Sequence, residues 1–168
     1  MRFVLLLCGI VCFISACEEA EKNEIYNENN TSVSGGIVYN IDEKPINGLY
    51  KIYYPDGNIK MEMQSKDGKP DGLGKFYTED GKIYFQGNYS QGVKNGVFYQ
   101  YYPNGQVHNE LNYVNGVKDG EQKMYDEDGN LSAIVTFENG EPASGYTIIK
   151  DEKKPFSAEE LSELKKEF

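Results

Sequence analysis

Glycine recurs along this chain at a fixed interval of 24 residues. Gly48, Gly72, Gly96 and Gly120 make one ladder, Gly57, Gly81, Gly105 and Gly129 a second, and Gly68, Gly92, Gly116 and Gly140 a third. Tyr53, Tyr77, Tyr101 and Tyr125 keep the same interval. Coincident ladders of this kind define four consecutive units. They restrict the chain to architectures in which each unit is one supersecondary element completed by its neighbours.

The second ladder fixes the kind of unit. Its glycines follow Asp56, Asp80, Asn104 and Asp128, and Asx-Gly pairs tolerate the positive φ of tight hairpin turns. Pro55 and Pro103 stand just upstream, where a fixed φ and a missing donor suit a turn. From Gly92 onward this reading gives a turn over 92–96, a strand over 97–102 and the next turn at Asn104-Gly105.

After each Asx-Gly pair the residues alternate. Ile59, Met61, Met63 and Ser65, with their equivalents through Phe137, are apolar or aromatic at thirteen of sixteen positions. Of the twelve residues interleaved with them only Tyr84 and Ile134 are. That is the period-2 pattern of a strand with one buried and one wetted face, and it excludes a helix. The strand before each Asx-Gly is mixed. Leu49, Leu73 and Val97 share the parity of the tyrosine ladder, whereas Tyr50, Ile52, Phe76 and Phe98 do not, which leaves open two partly covered faces or a bulge. Gly74 and Gly87, inside strands, fit a bulge or a close aromatic neighbour. The fold class is therefore all-β, an elongated antiparallel array of hairpins over residues 37–150. One hairpin is marginal in water, so stacking must bury the apolar faces.

Both ends read as caps. Ile37 to Ile41 supplies an initial strand, and the segment from Ser144 starts a fifth unit. Residues 155–168, PFSAEELSELKKEF, carry a helix signature: Pro155, then N-cap Ser157 with Glu160 as a capping box, and Leu161, Leu164 and Phe168 on one face. This short helix covers the last exposed strand edge.

The first residues are an address. Arg2 precedes an unbroken apolar run from Phe3 to Ile14, too short to span a bilayer and suited to the core of a secretion signal. Ile14-Ser15-Ala16-Cys17 resembles a bacterial lipobox. Residues 1–16 are thus a lipoprotein signal peptide and Cys17 is the lipid attachment site. Cleavage there removes Cys8 and Cys12, which excludes disulfides, thiol catalysis and a cysteine metal site. Residues 17–36, acidic and poor in aliphatic side chains, read as a disordered tether. The address is a bacterial cell envelope, with the chain lipid-anchored to a membrane, the outer one, and facing the periplasm or the surface.

Charge narrows the partners. With 17 Lys+Arg against 27 Asp+Glu the net charge is -10, which repels a nucleic-acid backbone. The 14 tyrosines and absence of tryptophan suit pleated strands.

The pattern G-x-Y-x-x-Y-Y-P-x-G-x-[IV], followed by Asn-Gly-x-x-[ND]-Gly, resembles the MORN-repeat variant found in bacterial proteins often labelled YwqK-family antitoxins. The likeness runs from Gly48 to Gly140 and recurs four times. It implies a single twisted sheet of hairpins acting as an accessory module for protein contact or for lipid contact. Where the family often carries Trp, this chain has Tyr50, Gly74, Phe98 and Gln122, and Asp126 replaces the tyrosine of the fourth unit.

No catalytic, cofactor or metal constellation emerges. His108 is the only histidine and falls on the wetted face, unpaired. Asp126-Glu127-Asp128-Gly129 occupies a hairpin-turn slot filled in every unit, so turn chemistry accounts for it. Glu62 and Glu110 lie exposed, two units apart, with nothing to desolvate either. The tyrosines remain as the functional surface, with Tyr54, Tyr84, Tyr99 and Tyr102 as the candidate contacts for a protein partner. The favoured reading is a non-enzymatic, lipid-anchored binding module, of which an immunity or antitoxin role is one form. The alternative is a self-associating envelope scaffold or spacer. An enzyme acting on glycans or peptidoglycan ranks last, because no paired acids can be placed in a cleft.

Overall fold

The computed structural model describes residues 24–27, 29–149 and 152–167. The signal peptide 1–16, Cys17 and Phe168 lie outside the described residues. The strands are β1 Glu24–Asn27, β2 Thr31–Ser34, β3 Ile37–Asn40, β4 Gly48–Tyr53, β5 Ile59–Lys66, β6 Lys69–Tyr77 and β7 Ile83–Ser90. They continue with β8 Val93–Tyr101, β9 Val107–Val114, β10 Val117–Lys118, β11 Gly120–Tyr125, β12 Leu131–Glu138, β13 Glu141–Ile149 and β14 Glu152–Pro155, and helix α1 spans Ala158–Glu167. From β4 to β14 the strands pair in chain order as an antiparallel meander, and β1 adds in parallel beside β4.

Two rows of turns hold the meander. At one end a loop from Tyr54 to Asn58 is closed by Tyr54 N–H to the Asn58 carbonyl (2.8 Å) and Gly57 N–H to the Tyr54 carbonyl (2.9 Å), with Gly57 at φ 90°. It is repeated at Thr78–Lys82, Tyr102–Gln106 and Asp126–Asn130. At the other end the turns are two residues long. Gln91 (φ 51°) and Gly92 (φ 92°) both take positive φ, as a primed hairpin turn requires, and Asp67-Gly68, Asn115-Gly116 and Asn139-Gly140 do the same.

This corrects the expected turn over 92–96. The turn is Gln91-Gly92, and the following strand starts at Val93, four residues earlier than the parity reading allowed. The first glycine ladder lies within or at the head of strands, at bulges. Between the pairs Met63–Gly74 and Ser65–Pro70 the register jumps, so that Asp71, Gly72 and Leu73 face the single residue Gln64. Gly72 has φ 107°, and a β-carbon there would meet the Gln64 side chain at 2.2 Å; glycine is the residue that fits.

A second bulge settles the mixed parity. In every unit the register shifts just before the ladder tyrosine: Ile52 pairs with Met61 but Tyr53 with Ile59, skipping Lys60. Tyr84, His108 and Ser132 are skipped in the same way. Tyr50, Ile52, Phe76 and Phe98 thereby share the face of Met61 and Met63, while the tyrosine ladder turns to the opposite face. One face is aromatic and apolar; the other carries the tyrosine ladder among charged and polar side chains.

Strands β1 and β2 fall inside the segment 17–36 that the sequence assigns to a disordered tether. Backbone pairing needs no apolar side chains, and β4 offers an open edge; Tyr26, the one aromatic residue there, is buried. The expected initial strand forms as β3, but it pairs with β2 rather than joining the large sheet. It docks on the first two-residue turn through Val38 N–H to the Gly68 carbonyl (2.9 Å), over a fully buried Ile46.

At the far end the fifth unit gains a short closing strand, β14, that the sequence does not announce. The capping box forms as expected: Ser157 N–H donates to Glu160 Oε2 at 2.7 Å and Glu160 N–H to Ser157 Oγ at 3.2 Å. Helix α1 packs against β13 and not along the outermost edge, which is β14. The Phe156 ring lies over Gly145, where a β-carbon would come within 2.5 Å of it.

Candidate binding face

The aromatic face is built around Phe98. Its ring lies on Gly87 of the neighbouring strand and is fully buried, in a sheet with few buried side chains. Tyr89 and Tyr113 meet it edge-on at 5.3 and 5.2 Å between centroids, and Phe85 lies at 5.4 Å. Each such pair adds about 0.5–1.5 kcal/mol beyond the area buried. Phe85 also reaches Phe76 at 5.7 Å. Phe76, Phe85, Tyr89 and Leu111 remain half-buried, so the cluster leaves rings of β6 and β7 partly open beside Leu111 of β9.

Lysines enter this face. Lys94, opposite Tyr89 in the register, points its ammonium at three rings: Tyr113 at 4.7 Å, Phe85 at 4.9 Å and Phe98 at 5.3 Å. Lys118, opposite Tyr113, lies over Phe137 at 5.1 Å. Burial lowers the pKa of both, and for Lys118 the neighbouring Lys94 charge lowers it further. Sequence reasoning did not single out either lysine. The signal was present: Ile46, Pro70, Lys94, Lys118 and Pro142 share the 24-residue interval, as do Tyr89, Tyr113 and Phe137. Deeper on the same face Asn109 Nδ2 donates to Gln100 Oε1 at 2.7 Å, and Asn109 Oδ1 is buried without a partner.

The polar face carries one row that crosses the sheet in register, through Lys51, Glu62, Lys75, Gln86, Tyr99, Glu110 and Lys123. Glu62 is half-buried, 2.8 Å from Lys51 and accepting the Tyr77 hydroxyl at 2.7 Å. The hydrogen bond from Lys51 leads in holding its carboxyl below the ordinary range, and burial followed by Glu62 pushes Tyr77 up to about 12. Glu110 pairs with Lys123 at 3.1 Å, with the Tyr125 hydroxyl at 3.5 Å. The two glutamates are therefore engaged in ion pairs, not simply exposed as the alternation suggested.

The four candidate tyrosines do not form one surface. Tyr54 and Tyr102 sit half-buried at the Asx-Gly end, each hydroxyl donating to a carbonyl of the next unit, Tyr77 at 2.7 Å and Tyr125 at 2.9 Å. They are struts between units. Tyr84, at a bulge, is the exposed one, with its ring 6.4 Å from Phe76. Tyr99 belongs to the polar face, 6.4 Å from Tyr101. His108 is not unpaired: its ring stacks on Tyr102 at 4.2 Å. Asn104-Gly105 and the Asp126 segment are turns, Asp126 Oδ1 accepting Asp128 N–H and Asn130 N–H. Among the described residues no group of three His, Cys, Asp or Glu could hold a metal ion, and no helix is long and apolar enough to cross a membrane.

No curated protein matches the chain. Among solved structures it is similar to a mutant of S. aureus TarM crystallised with fondaparinux, α-GlcNAc-glycerol and UDP, at 14% identity and a TM-score of 0.28. That likeness covers 82% of this chain and 24% of that protein. Residues 46–67, 70–91, 94–115 and 118–139 each match the MORN repeat variant family.

Proposed function

The chain belongs to the MORN repeat variant family, a protein-binding or structural module, and from that premise we propose that it binds a protein partner at a bacterial cell envelope. Lipid on Cys17 holds it there, the box Ile14-Ser15-Ala16-Cys17 being the support for this part. Binding is its whole activity; it performs no chemistry of its own. Neutralising a toxin by direct contact is one form such binding takes.

The observation that carries the reading is the aromatic face. Its rings Phe76, Phe85 and Tyr89 stay half-buried, and rigid aromatic side chains gain contact area at small entropic cost. The contact surface thus moves from the four tyrosines to this face. A photo-crosslinking side chain placed at Phe85, on the aromatic face, and at Tyr99, on the polar one, tests it in intact cells. A heterologous adduct from position 85 and none from 99 is the expected result. Adducts only between copies of the chain indicate a scaffold, and no adduct from either position refutes the proposal.

A further inference from the structure

Each two-residue turn is flanked by one residue that ends a strand and one that starts the next. The first position holds Lys66, Ser90, Val114 and Glu138, and the second Lys69, Val93, Val117 and Glu141, both on the 24-residue interval. The two flanking residues of a turn pair directly across their hairpin, so they project from the same face. Lys66 follows Ser65 and Val93 precedes Lys94, both on the aromatic face, so the row lies on the opposite side of the sheet. From β5 to β13 it reads as two bases, then a serine and three valines, then two acids. At the usual strand spacing it is about 34 Å long.

The row is open. Both lysines and both glutamates are exposed, and Val93, Val114 and Val117 are 44%, 45% and 44% exposed. Among the described residues no carboxylate stands within ion-pair distance of Lys66 or Lys69, and no base within that distance of Glu138. Glu141 has only a 3.7 Å pair with Lys165, in which both side chains are at least half exposed. Strand β3 docks on Gly68 without covering either lysine. Like charges set directly opposite each other weaken a hairpin, so neither the lysine pair nor the glutamate pair serves the single chain.

We propose that this row is the contact between two copies of the chain, laid edge to edge and running in opposite directions. Reversal sets Lys66 against the partner's Glu141 and Lys69 against the partner's Glu138. Val93 then meets the partner's Val114 beside a two-fold axis, and every contact occurs twice, as an isologous interface requires. Copies running the same way would stack lysine on lysine and glutamate on glutamate, so charge selects the reversed arrangement. Burial of the central valines supplies attraction, while the ion pairs, still wetted at the two ends, set the alignment. A contact this narrow makes a weak, concentration-dependent dimer. It leaves the aromatic face uncovered and stands apart from the reading above.

The test uses the full-length protein produced with two different tags in one cell, extracted in mild detergent, with capture through one tag and quantification of the other. Parent copies should capture each other, and raising salt from about 0.05 to about 0.5 M should weaken this. Lys66→Glu with Lys69→Glu should lower capture of its own kind by at least about tenfold, and so should Glu138→Lys with Glu141→Lys. The second variant is less acidic than the parent, so loss in both excludes overall repulsion as the cause. A mixture of the two variants should recover capture, because every end then meets its opposite. All four substitutions in one chain should also capture their own kind as the parent does. Thermal unfolding of each variant checks the fold. Absence of capture between parent copies, capture indifferent to either reversal, or failure of both the mixture and the fourfold variant to recover it overturns the proposal. The protein-binding reading is decided separately, by the crosslinking at Phe85.

Discussion

Phe98 occupies the space that a side chain at Gly87 would need: a β-carbon on Gly87 would lie 2.3 Å from the ring. The two residues pair directly between β7 and β8, so neither can move aside without disturbing the sheet. Gly87→Ala should therefore cost about 1–3 kcal/mol through overpacking, and Phe98→Ala about 3–5 kcal/mol through lost burial. The double variant should cost less than the two together, because the alanine gains room once the ring is gone. Urea denaturation of the four proteins checks this; strict additivity contradicts the contact.

The hydroxyls of Tyr54 and Tyr102 tie one unit to the next. Tyr54→Phe and Tyr102→Phe should each lower stability by about 0.5–1.5 kcal/mol, the worth of one hydrogen bond. Partner capture should be unaffected by either, since each hydroxyl is already engaged by a carbonyl of the next unit. A loss of capture at unchanged stability would restore them as contacts.

Glu62 gives the sheet an acid dependence. Its folded carboxyl titrates below the ordinary 4.5, so the unfolded chain takes up the proton first. Stability present above pH 4.5 is lost as pH falls past that value. Tyr77 acts at the other extreme: between its ordinary 10 and about 12 the unfolded chain releases a proton that the folded one keeps, and stability falls as pH rises. Glu62→Gln should flatten the acid limb relative to the parent by about 0.2–1 kcal/mol, measured by denaturation from about pH 3 to about pH 6. An unchanged acid limb refutes the assignment.

The repeat interval can be tested by deletion. Removing residues 70–93, one whole unit, joins Lys69 to Lys94 in an equivalent position and should leave a folded, less stable protein with a smaller denaturant slope. Deleting one residue fewer inverts every downstream side chain between faces and should abolish cooperative unfolding. Circular dichroism across a denaturant series distinguishes the two.

Cys17→Ser tests the anchor. Acyl chains contribute about 0.8 kcal/mol per buried methylene, so the parent should stay in the membrane pellet through a high-salt wash and the variant should appear in the soluble fraction. An equal distribution of both contradicts lipidation.

The parts of the fold that sequence discloses are those where backbone geometry demands one residue type. Glycines at φ near 90° on a constant interval announce both rows of turns, and strict alternation around Met61, Phe85 and Leu111 announces the aromatic face. Gly96 misled for the same reason: a positive φ inside a bulge leaves the same trace as one in a turn. The strands β1 and β2 are invisible because backbone pairing with an open edge leaves little pattern in polar side chains. Lys94 escaped notice because alternation assigns a lysine to water, whereas the bulge around Gly96 and three rings bring its stem inward. Tyr54 and Tyr102 looked available because the carbonyls that engage them lie a full unit further along.

The meander from β1 to β14 passes through eleven hydrogen-bonded strands, neighbour on neighbour. At roughly 4.8 Å per strand its first and last members stand about 50 Å apart, and each unit contributes about 10 Å of that reach. Gaining or losing a unit therefore alters the molecule's span in fixed steps while the makeup of its two faces persists, so related chains of different length would work as gauges cut from one stock.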